Sequence, residues 1–321
     1  MRMCLGLRGI VSLLALVSVS ASAEYPDRPV RVIVPFAPGG PTDICARIVA
    51  TPLSKVLGQP MVIENKPGAE GAIGGVTLAT AAPDGYTLSV STSGAIAAVP
   101  ALRKDPPYDP LVDFTPITLI GNFEFFLFMH PQVPAKTLSE LVSHARANPG
   151  KLNYGTGSSG GIVATGQFLT LAGLQMVHVP YKGEAPAFSD LMTGTVQLMF
   201  ATPTGAILSA VKNGTLRALV TTLDSRSTHL PEVPIASEVG MPNLSVVPFV
   251  AIYGPAKLPR QITERLSREV ADLLTRPDIR EQLERQTVQA KGSTPEWLAE
   301  RVKSQAEIYK RGIRNAGMAL N

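Results

Sequence analysis

Cysteine, charged residues and metal-binding patterns are all scarce in this sequence of 321 residues. Only two cysteines occur, and charged residues make up 17% of the chain. No basic stripe with interleaved aromatic residues is present, which argues against nucleic-acid binding. None of the histidines, at positions 130, 144, 178 and 229, has metal-ligand spacing to another histidine or to a cysteine. We therefore expect no metal, no cofactor and no nucleic-acid partner.

The first 23 residues predict a secretory signal peptide. Arg2 and Arg8 form a basic start, residues 10–19 are apolar, and Ala21-Ser22-Ala23 supplies the small residues of a cleavage site. A membrane anchor is the alternative, but the apolar run is shorter than the about 20 residues that cross a bilayer. Cleavage after Ala23 removes one cysteine and leaves Cys45 alone. The exported chain then has no internal disulfide and depends on its core for stability.

Runs typical of strands and of helices alternate along the mature chain, which predicts parallel βαβ units. Two strands read consecutively, Phe114–Ile120 and Phe123–Met129, with Gly121-Asn122 between them. The alternation breaks near residue 105, at Pro106, Pro107 and Pro110, and again in a proline-rich stretch at residues 231–248. These two irregular stretches predict two α/β lobes. We place lobe one at residues 24–124 plus 249–321 and lobe two at residues 125–248. The C-terminal helices, without strands of their own, are expected to pack on lobe one.

A glycine-rich loop between the first strand and the first helix is the leading candidate for ligand binding. Ligands of open α/β sheets bind at the carboxyl ends of the strands. Glycines allow close approach of backbone N–H groups, and the helix start adds unpaired donors and partial positive charge. This combination binds anions without lysine or arginine. The candidate residues are Phe36, Ala37, Pro38, Gly39, Gly40, Thr42 and Asp43. Asp43 is expected to cap the loop or meet an amine. An ordinary tight turn is the alternative.

Four further polar loops also follow predicted strands and precede helices. Their hydroxyls and amides would bind a ligand or merely cap the helices, and Lys182 would meet a second carboxylate or remain a solvated surface residue. The candidate residues in these loops are Ser91, Ser93, Thr156, Ser158, Ser159, Tyr181, Lys182, Ala201 and Thr202.

The loop at residues 154–161 also matches two enzyme motifs. Gly155, Gly157 and Gly160 have the spacing of a dinucleotide-binding loop, but no acidic residue ends the following strand, as that motif requires. The same loop matches the G-x-S-x-G nucleophile elbow of hydrolases around Ser159. Asp224 and His229 follow in hydrolase order, so a serine hydrolase remains the enzymatic alternative to a binding protein.

Several sequence blocks recur in order along essentially the whole mature chain, and they include Val34–Gly40 with Asp43, Val62–Ala69, Ala82–Tyr86, Val179–Gly183 and Glu238–Gly240. Together these blocks resemble the receptors of tripartite tricarboxylate transporters, also called the Bug family. The resemblance implies a type II periplasmic binding-protein fold, in which two α/β lobes joined by two crossing segments enclose a cleft. It also implies a small organic carboxylate as ligand and a membrane permease as partner.

By position, the resemblance assigns the first carboxylate to residues 36–43. Ser91 and Ser93 would line the cleft from lobe one, and Thr156, Ser158 and Ser159 from lobe two, with Ala201 and Thr202 nearby. We expect a periplasmic monomer that is not an enzyme. A receptor that feeds a signalling partner instead of a permease remains an alternative. The chain departs from the family at residues 162–167 and at Phe249, which suggests a less polar acid as ligand.

Overall fold

The computed structural model describes residues 25–181 and 183–315, and it folds them into two α/β lobes, each built on its own β-sheet. The predicted signal peptide, residues 1–23, and its cleavage site lie outside the described residues. In the part that is described, no helix has the length and apolar character needed to cross a membrane.

The strands and helices follow the alternation predicted from the sequence. In chain order the strands are β1 (Val30–Val34), β2 (Met61–Asn65), β3 (Thr87–Thr92), β4 (Phe114–Phe123), β5 (Phe126–Met129), β6 (Asn153–Thr156), β7 (Val177–Pro180), β8 (Leu198–Ala201), β9 (Arg217–Thr221), β10 (Phe249–Pro255) and β11 (Val288–Ala290). The helices are α1 (Pro41–Leu57), α2 (Ala72–Ala79), α3 (Val99–Ala101), α4 (Leu138–Ala147), α5 (Ser159–Ala172), α6 (Glu184–Thr193), α7 (Gly205–Lys212), α8 (Arg260–Leu273), α9 (Pro277–Glu284) and α10 (Pro295–Asn315).

The first sheet has the order β11-β4-β10-β3-β1-β2 and forms lobe one. Strands β2, β1 and β3 are parallel, as predicted. Strand β10 lies antiparallel between β3 and β4, a direction that the sequence analysis did not predict. The reason is that β10 belongs to chain returning from lobe two, which enters the sheet from the opposite direction.

The second sheet has the order β7-β6-β8-β5-β9 and forms lobe two. Strand β6 is parallel to β7 and β8, whereas β5 runs antiparallel to both β8 and β9. Because parallel strands end at the same edge of a sheet, the loops that follow β6, β7 and β8 meet at one edge of this lobe.

The chain crosses between the lobes at two adjacent segments. It leaves lobe one after Phe123. Gly121-Asn122, which was predicted to lie between two strands, belongs to β4 instead. Gly121 serves close strand pairing instead of a turn, because an added Cβ would lie 2.3 Å from the carbonyl oxygen of Gln289. The return segment runs beside the first, and Phe123 N–H donates to the carbonyl of Pro248 at 2.9 Å.

The C-terminal region contacts both lobes. Helices α8 and α9 pack in lobe one, as expected, but the region also contributes a strand, β11, which pairs with β4. Along α10, Val302 packs in a lobe-one cluster and Tyr309 in the main lobe-two cluster. The expectation of a strandless tail confined to lobe one was therefore wrong, because α10 is long enough to reach α5 across the crossing segments.

Candidate functional site

A cavity of about 480 Å³ lies between the two lobes. Its walls come from loops that follow strands of both sheets, from the crossing segments and from α10. The lining residues are Phe36, Ala37, Gly40, Pro41, Thr42, Glu70, Thr92, Gly94, Ala95, Phe123, Phe125, Gly157, Ser158, Ser159, Gly160, Glu184, Thr202, Pro248 and Tyr309. Lysine and arginine are absent from this set of described residues.

The lobe-one wall is the loop between β1 and α1. Gly39 has φ +79°, a conformation that favours glycine, and allows the chain to turn sharply before the helix. Gly40 precedes α1 in an extended conformation, and Pro41 occupies the first turn. No side chain caps this helix start, so its first-turn N–H groups remain available to water or to a ligand in the cavity.

Asp43 braces this loop from behind and does not line the cavity. Its side chain is only 2% exposed. The carboxylate accepts hydrogen bonds from Gly39 N–H at 2.9 Å, Arg47 Nε at 2.9 Å and Asn65 Nδ2 at 2.9 Å. Burial alone would raise the pKa of Asp43, but the hydrogen bonds from Arg47, Gly39 and Asn65 outweigh it and lower the pKa to about 2. Asp43 was expected either to cap the loop or to contact an amine, and in the structure it caps the loop.

The lobe-two wall begins at the amino end of α5. The Ser158 hydroxyl accepts a hydrogen bond from Gly161 N–H at 3.2 Å and caps the helix. Ser159 follows at the lobe boundary, where a Cβ added to Gly94 of lobe one would lie 3.3 Å from Ser159 Oγ. The two lobes therefore approach each other closely at one side of the cavity.

Glu184, at the start of α6, is a cavity residue that the sequence reasoning missed. Its carboxylate accepts hydrogen bonds from Ser158 Oγ at 2.8 Å and from the backbone N–H of Thr202. Desolvation by burial raises the pKa of Glu184 to about 7, against the lowering effect of these two hydrogen bonds. The only signal in the sequence was its position directly after the candidate loop that ends at Gly183.

Much of the remaining wall is apolar. Phe123, Phe125 and Pro248 come from the two crossing segments, Phe36 from the lobe-one loop and Tyr309 from α10. Phe125 is held by stacking on Phe200, with ring centroids 6.0 Å apart. Apart from Phe36, these wall residues were not predicted from the sequence, because they come together only where the lobes meet. An apolar wall suits the hydrocarbon part of a small organic ligand.

Several predicted site residues lie off the cavity wall. Pro38 and Gly39 are exposed on the outer side of the turn. Ala201, at the end of β8, is fully buried in the lobe-two core, because its side chain faces away from the cleft. Lys182 lies outside the described residues. Seven predicted residues do line the cavity, namely Phe36, Ala37, Gly40, Thr42, Ser158, Ser159 and Thr202.

The hydroxyls of four other predicted residues are engaged inside the protein or removed from the cleft. Ser91 is 2% exposed and lies within β3, paired with β10. Ser93 Oγ accepts a hydrogen bond from Phe249 N–H at 3.3 Å. Thr156 Oγ1 lies 2.7 Å from His178 Nε2, and Tyr181 donates to Asp190 Oδ2 at 2.6 Å. These side chains support the loops around the cavity from within each lobe.

The hydrolase residues do not assemble around Ser159. Asp224 forms an ion pair with Lys291. His229 lies 3.1 Å from Glu124 through Nδ1. A general base must lie within hydrogen-bonding reach of its nucleophile, and neither residue lines the cavity that contains Ser159. The described residues also contain no cluster suited to a metal ion.

Comparison with known proteins identifies relatives along almost the whole chain. The family described as "Tripartite tricarboxylate transporter family receptor" matches residues 45–317. Protein BugT from Bordetella pertussis is 33% identical over 316 residues, which cover 97% of this chain and 97% of BugT.

Two solved structures share the fold across both lobes. Rpa4515 from R. palustris with adipate is 30% identical, with a TM-score of 0.77 over 92% of this chain and 99% of the other. MatC (Rpa3494) from Rhodopseudomonas palustris with bound malate is 32% identical, with a TM-score of 0.72 over 90% of this chain and 100% of the other. The predicted two-lobed periplasmic binding-protein fold is confirmed by this similarity.

Proposed function

This chain belongs to the receptor family of tripartite tricarboxylate transporters, and from that premise we propose that it captures a small organic carboxylate between its lobes for delivery to a membrane permease. The family consists of solute-binding receptors, not enzymes, and the separated positions of Ser159, Asp224 and His229 agree with that role.

The observation that carries this proposal is the cavity between the lobes. Helix N-termini that are uncapped or weakly capped lie at its wall. At α1 the first-turn N–H groups and the Thr42 side chain offer hydrogen bonds to an anion without a lysine or arginine. The hydroxyls of Ser159 and Thr202 face the same space from lobe two. We propose that the ligand's carboxylate binds at α1, and that lobe-two contacts stabilise the closed arrangement.

The relatives guide the choice of ligand. Their structures are those of proteins with adipate and with malate, two small aliphatic acids. In this chain the apolar wall formed by Phe36, Phe123 and Phe125 favours an acid with a hydrocarbon body. We expect an affinity in the micromolar range or tighter, about −8 kcal/mol or more favourable.

A ligand screen on the mature protein tests the binding function. The protein is unfolded to release bound solute, refolded, and screened by thermal shift against mono-, di- and tricarboxylates of graded length. A bound acid raises the melting temperature with its concentration. Hits should be lost in Gly40→Val, whose side chain would occupy the cavity wall, and retained in the control Gly205→Val. Gly205 is exposed, with no atom within 4 Å of an added Cβ. The proposal fails if no carboxylate binds, or if both variants bind like the parent.

Delivery to a permease requires a cellular measurement. In cells that contain the transporter's membrane subunits, uptake of the labelled acid should require this protein and should fall with the Gly40→Val variant. Binding without any effect on uptake would favour a receptor for a signalling partner. Turnover of model esters that disappears in Ser159→Ala would favour the hydrolase alternative.

We also propose that the protein is exported to the periplasm as a monomer whose mature chain begins at Glu24. Cell fractionation and the intact mass of the periplasmic form test the cleavage site, and light scattering tests the monomer. Retention of residues 1–23 on a membrane-bound form would contradict the cleavage after Ala23.

A further inference from the structure

The interlobe cavity contains acidic side chains on both lobes without a described basic partner. Glu184 lines it from lobe two and Glu70 from lobe one, and no lysine or arginine is among the described lining residues. Glu70 is exposed, so it lies in contact with solvent. Glu184 is partly buried, and its carboxylate is held in place by Ser158 Oγ at 2.8 Å.

The position of Glu184 limits what can bind opposite the α1 loop. Its hydrogen bonds from Ser158 and from the backbone N–H of Thr202 are both accepted by the carboxylate. These donors therefore serve Glu184 and are not free for a second ligand carboxylate. An ionised carboxyl group is an acceptor only, with about four lone-pair sites, so it retains capacity for a donor from the ligand.

A second carboxylate in this position would face another negative charge in a partly desolvated site, where like charges repel strongly. An ammonium or hydroxyl group would instead complete the hydrogen bonding of Glu184. Desolvation by burial raises the pKa of Glu184 to about 7, and the described lining residues include no lysine or arginine that would lower it.

We propose that the physiological ligand is a monocarboxylate with an apolar body and, at the end remote from its carboxylate, a hydrogen-bond donor that binds Glu184. This inference rests on the proposed function, since it assigns the ligand's carboxylate to the α1 loop. An ammonium group is preferred over a hydroxyl group because it also neutralises Glu184. The apolar wall formed by Phe123, Phe125 and Tyr309 accommodates the methylene chain or ring between the two ends.

Titration calorimetry with matched ligand pairs tests this specificity at pH 8. Each pair consists of an ω-amino acid and the dicarboxylate in which a second carboxylate replaces the ammonium group, across chain lengths of two to six methylenes. The corresponding ω-hydroxy acids and simple fatty acids complete the series. At the best-fitting length, we expect the amino acid to bind at least tenfold more tightly than the dicarboxylate, with the hydroxy acid between them.

The variant Glu184→Gln should reverse this order. Glutamine retains an acceptor oxygen for Ser158 and Thr202 but has no charge, so amino-acid binding should weaken at least tenfold and dicarboxylate binding should tighten severalfold. The matched control Glu232→Gln removes a charge from an exposed acidic residue that is not among the lining residues of the interlobe cavity, and it should change each affinity less than threefold. Lys182→Gln, at a residue outside the described part of the chain, should leave the ligand order unchanged.

Three outcomes would overturn the inference. Dicarboxylates could bind more tightly than their amino-acid partners in the parent protein. Glu184→Gln could leave both affinities unchanged while unfolding measurements show an intact fold. Lys182→Gln could abolish dicarboxylate binding, which would assign the second site to a carboxylate. In each case carboxylate binding itself persists, so the proposed function stands. Failure of every acid in the series would instead refute the proposed function.

Discussion

Replacing Asp43 with asparagine tests whether this residue braces the α1 loop. Asparagine has the same shape but presents an NH₂ group where aspartate has a second acceptor oxygen. It cannot accept from Gly39 N–H, Arg47 and Asn65 together, and a buried donor is left unpaired. The change should therefore destabilise lobe one and loosen the loop at once.

The expected cost follows from the pKa of Asp43. The pKa is lowered from 3.8 to about 2 in the folded protein, which at about 1.36 kcal/mol per pKa unit stabilises the ionised form by roughly 2–3 kcal/mol. Because the Arg47 side chain is 52% exposed, solvent screening reduces its part of this figure. We expect Asp43→Asn to cost about 2 kcal/mol at pH 7.

The pH dependence has a definite sign. A lowered folded-state pKa gives stability that is fully present above the unfolded-state value of 3.8 and is lost as pH falls towards about 2. The difference between the parent and Asp43→Asn should thus be greatest near neutral pH, about half as large at pH 3, and close to zero near pH 2.

Urea unfolding of ligand-free protein at several pH values measures this difference, and Asp105→Asn at an exposed position is the control. We also expect weaker carboxylate binding in Asp43→Asn, because the turn at Gly39 loses its tether. A difference below about 0.5 kcal/mol at pH 7, or one that does not change with pH, would refute this reasoning. Altered binding with unchanged stability would indicate direct ligand contact by Asp43.

Two further predictions concern glycines around the cavity. Gly40→Val should weaken carboxylate binding at least tenfold in calorimetry. It should lower the free energy of unfolding in urea by less than about 1 kcal/mol, because the atom nearest to an added Cβ is Ala37 O at 3.4 Å. Severe loss of stability would contradict this prediction. Gly157→Ala should destabilise the protein by about 3 kcal/mol or more, since its Cβ would lie 2.2 Å from the backbone of Gly183. In the same unfolding assay Gly160→Ala, with no atom nearer than 3.5 Å, should be near neutral, and equal effects of the two would disprove the close approach.

Most strands and helices were predictable from the sequence because their signals are local. The predicted alternation of strands and helices is observed from β1 to β9, with β4 and β5 as the two consecutive strands. Ser158, one of the hydroxyl residues expected to bind a ligand or cap a helix, caps α5 by accepting from Gly161 N–H at 3.2 Å. Gly121 was misread because a glycine that permits close strand pairing and one that permits a turn look alike in a sequence.

The candidate site was predictable only in part. A loop between a strand and a helix can be recognised from the local sequence, so the loops around Gly40, Ser158 and Thr202, which line the cavity, were predicted from the sequence. Which side chains in such a loop face the cleft depends on packing against distant segments. The Asp43 side chain points into the lobe because it accepts a hydrogen bond from Asn65 of β2. The Ser93 hydroxyl likewise accepts a hydrogen bond from the backbone N–H of Phe249 in β10.

The sequence by itself determined the order of the strands and helices, the family, and the helix starts that a carboxylate can use, since these depend on residues close together along the chain. Only the tertiary structure decided which side chains face these helix N-termini across the cavity. Glu184 acquires its partners from Ser158 and Thr202, and Tyr309 reaches the cavity from the last helix. The apolar wall and the partly buried carboxylate of Glu184 form because two lobes and a C-terminal helix surround one cavity, and no local sequence pattern specifies that arrangement.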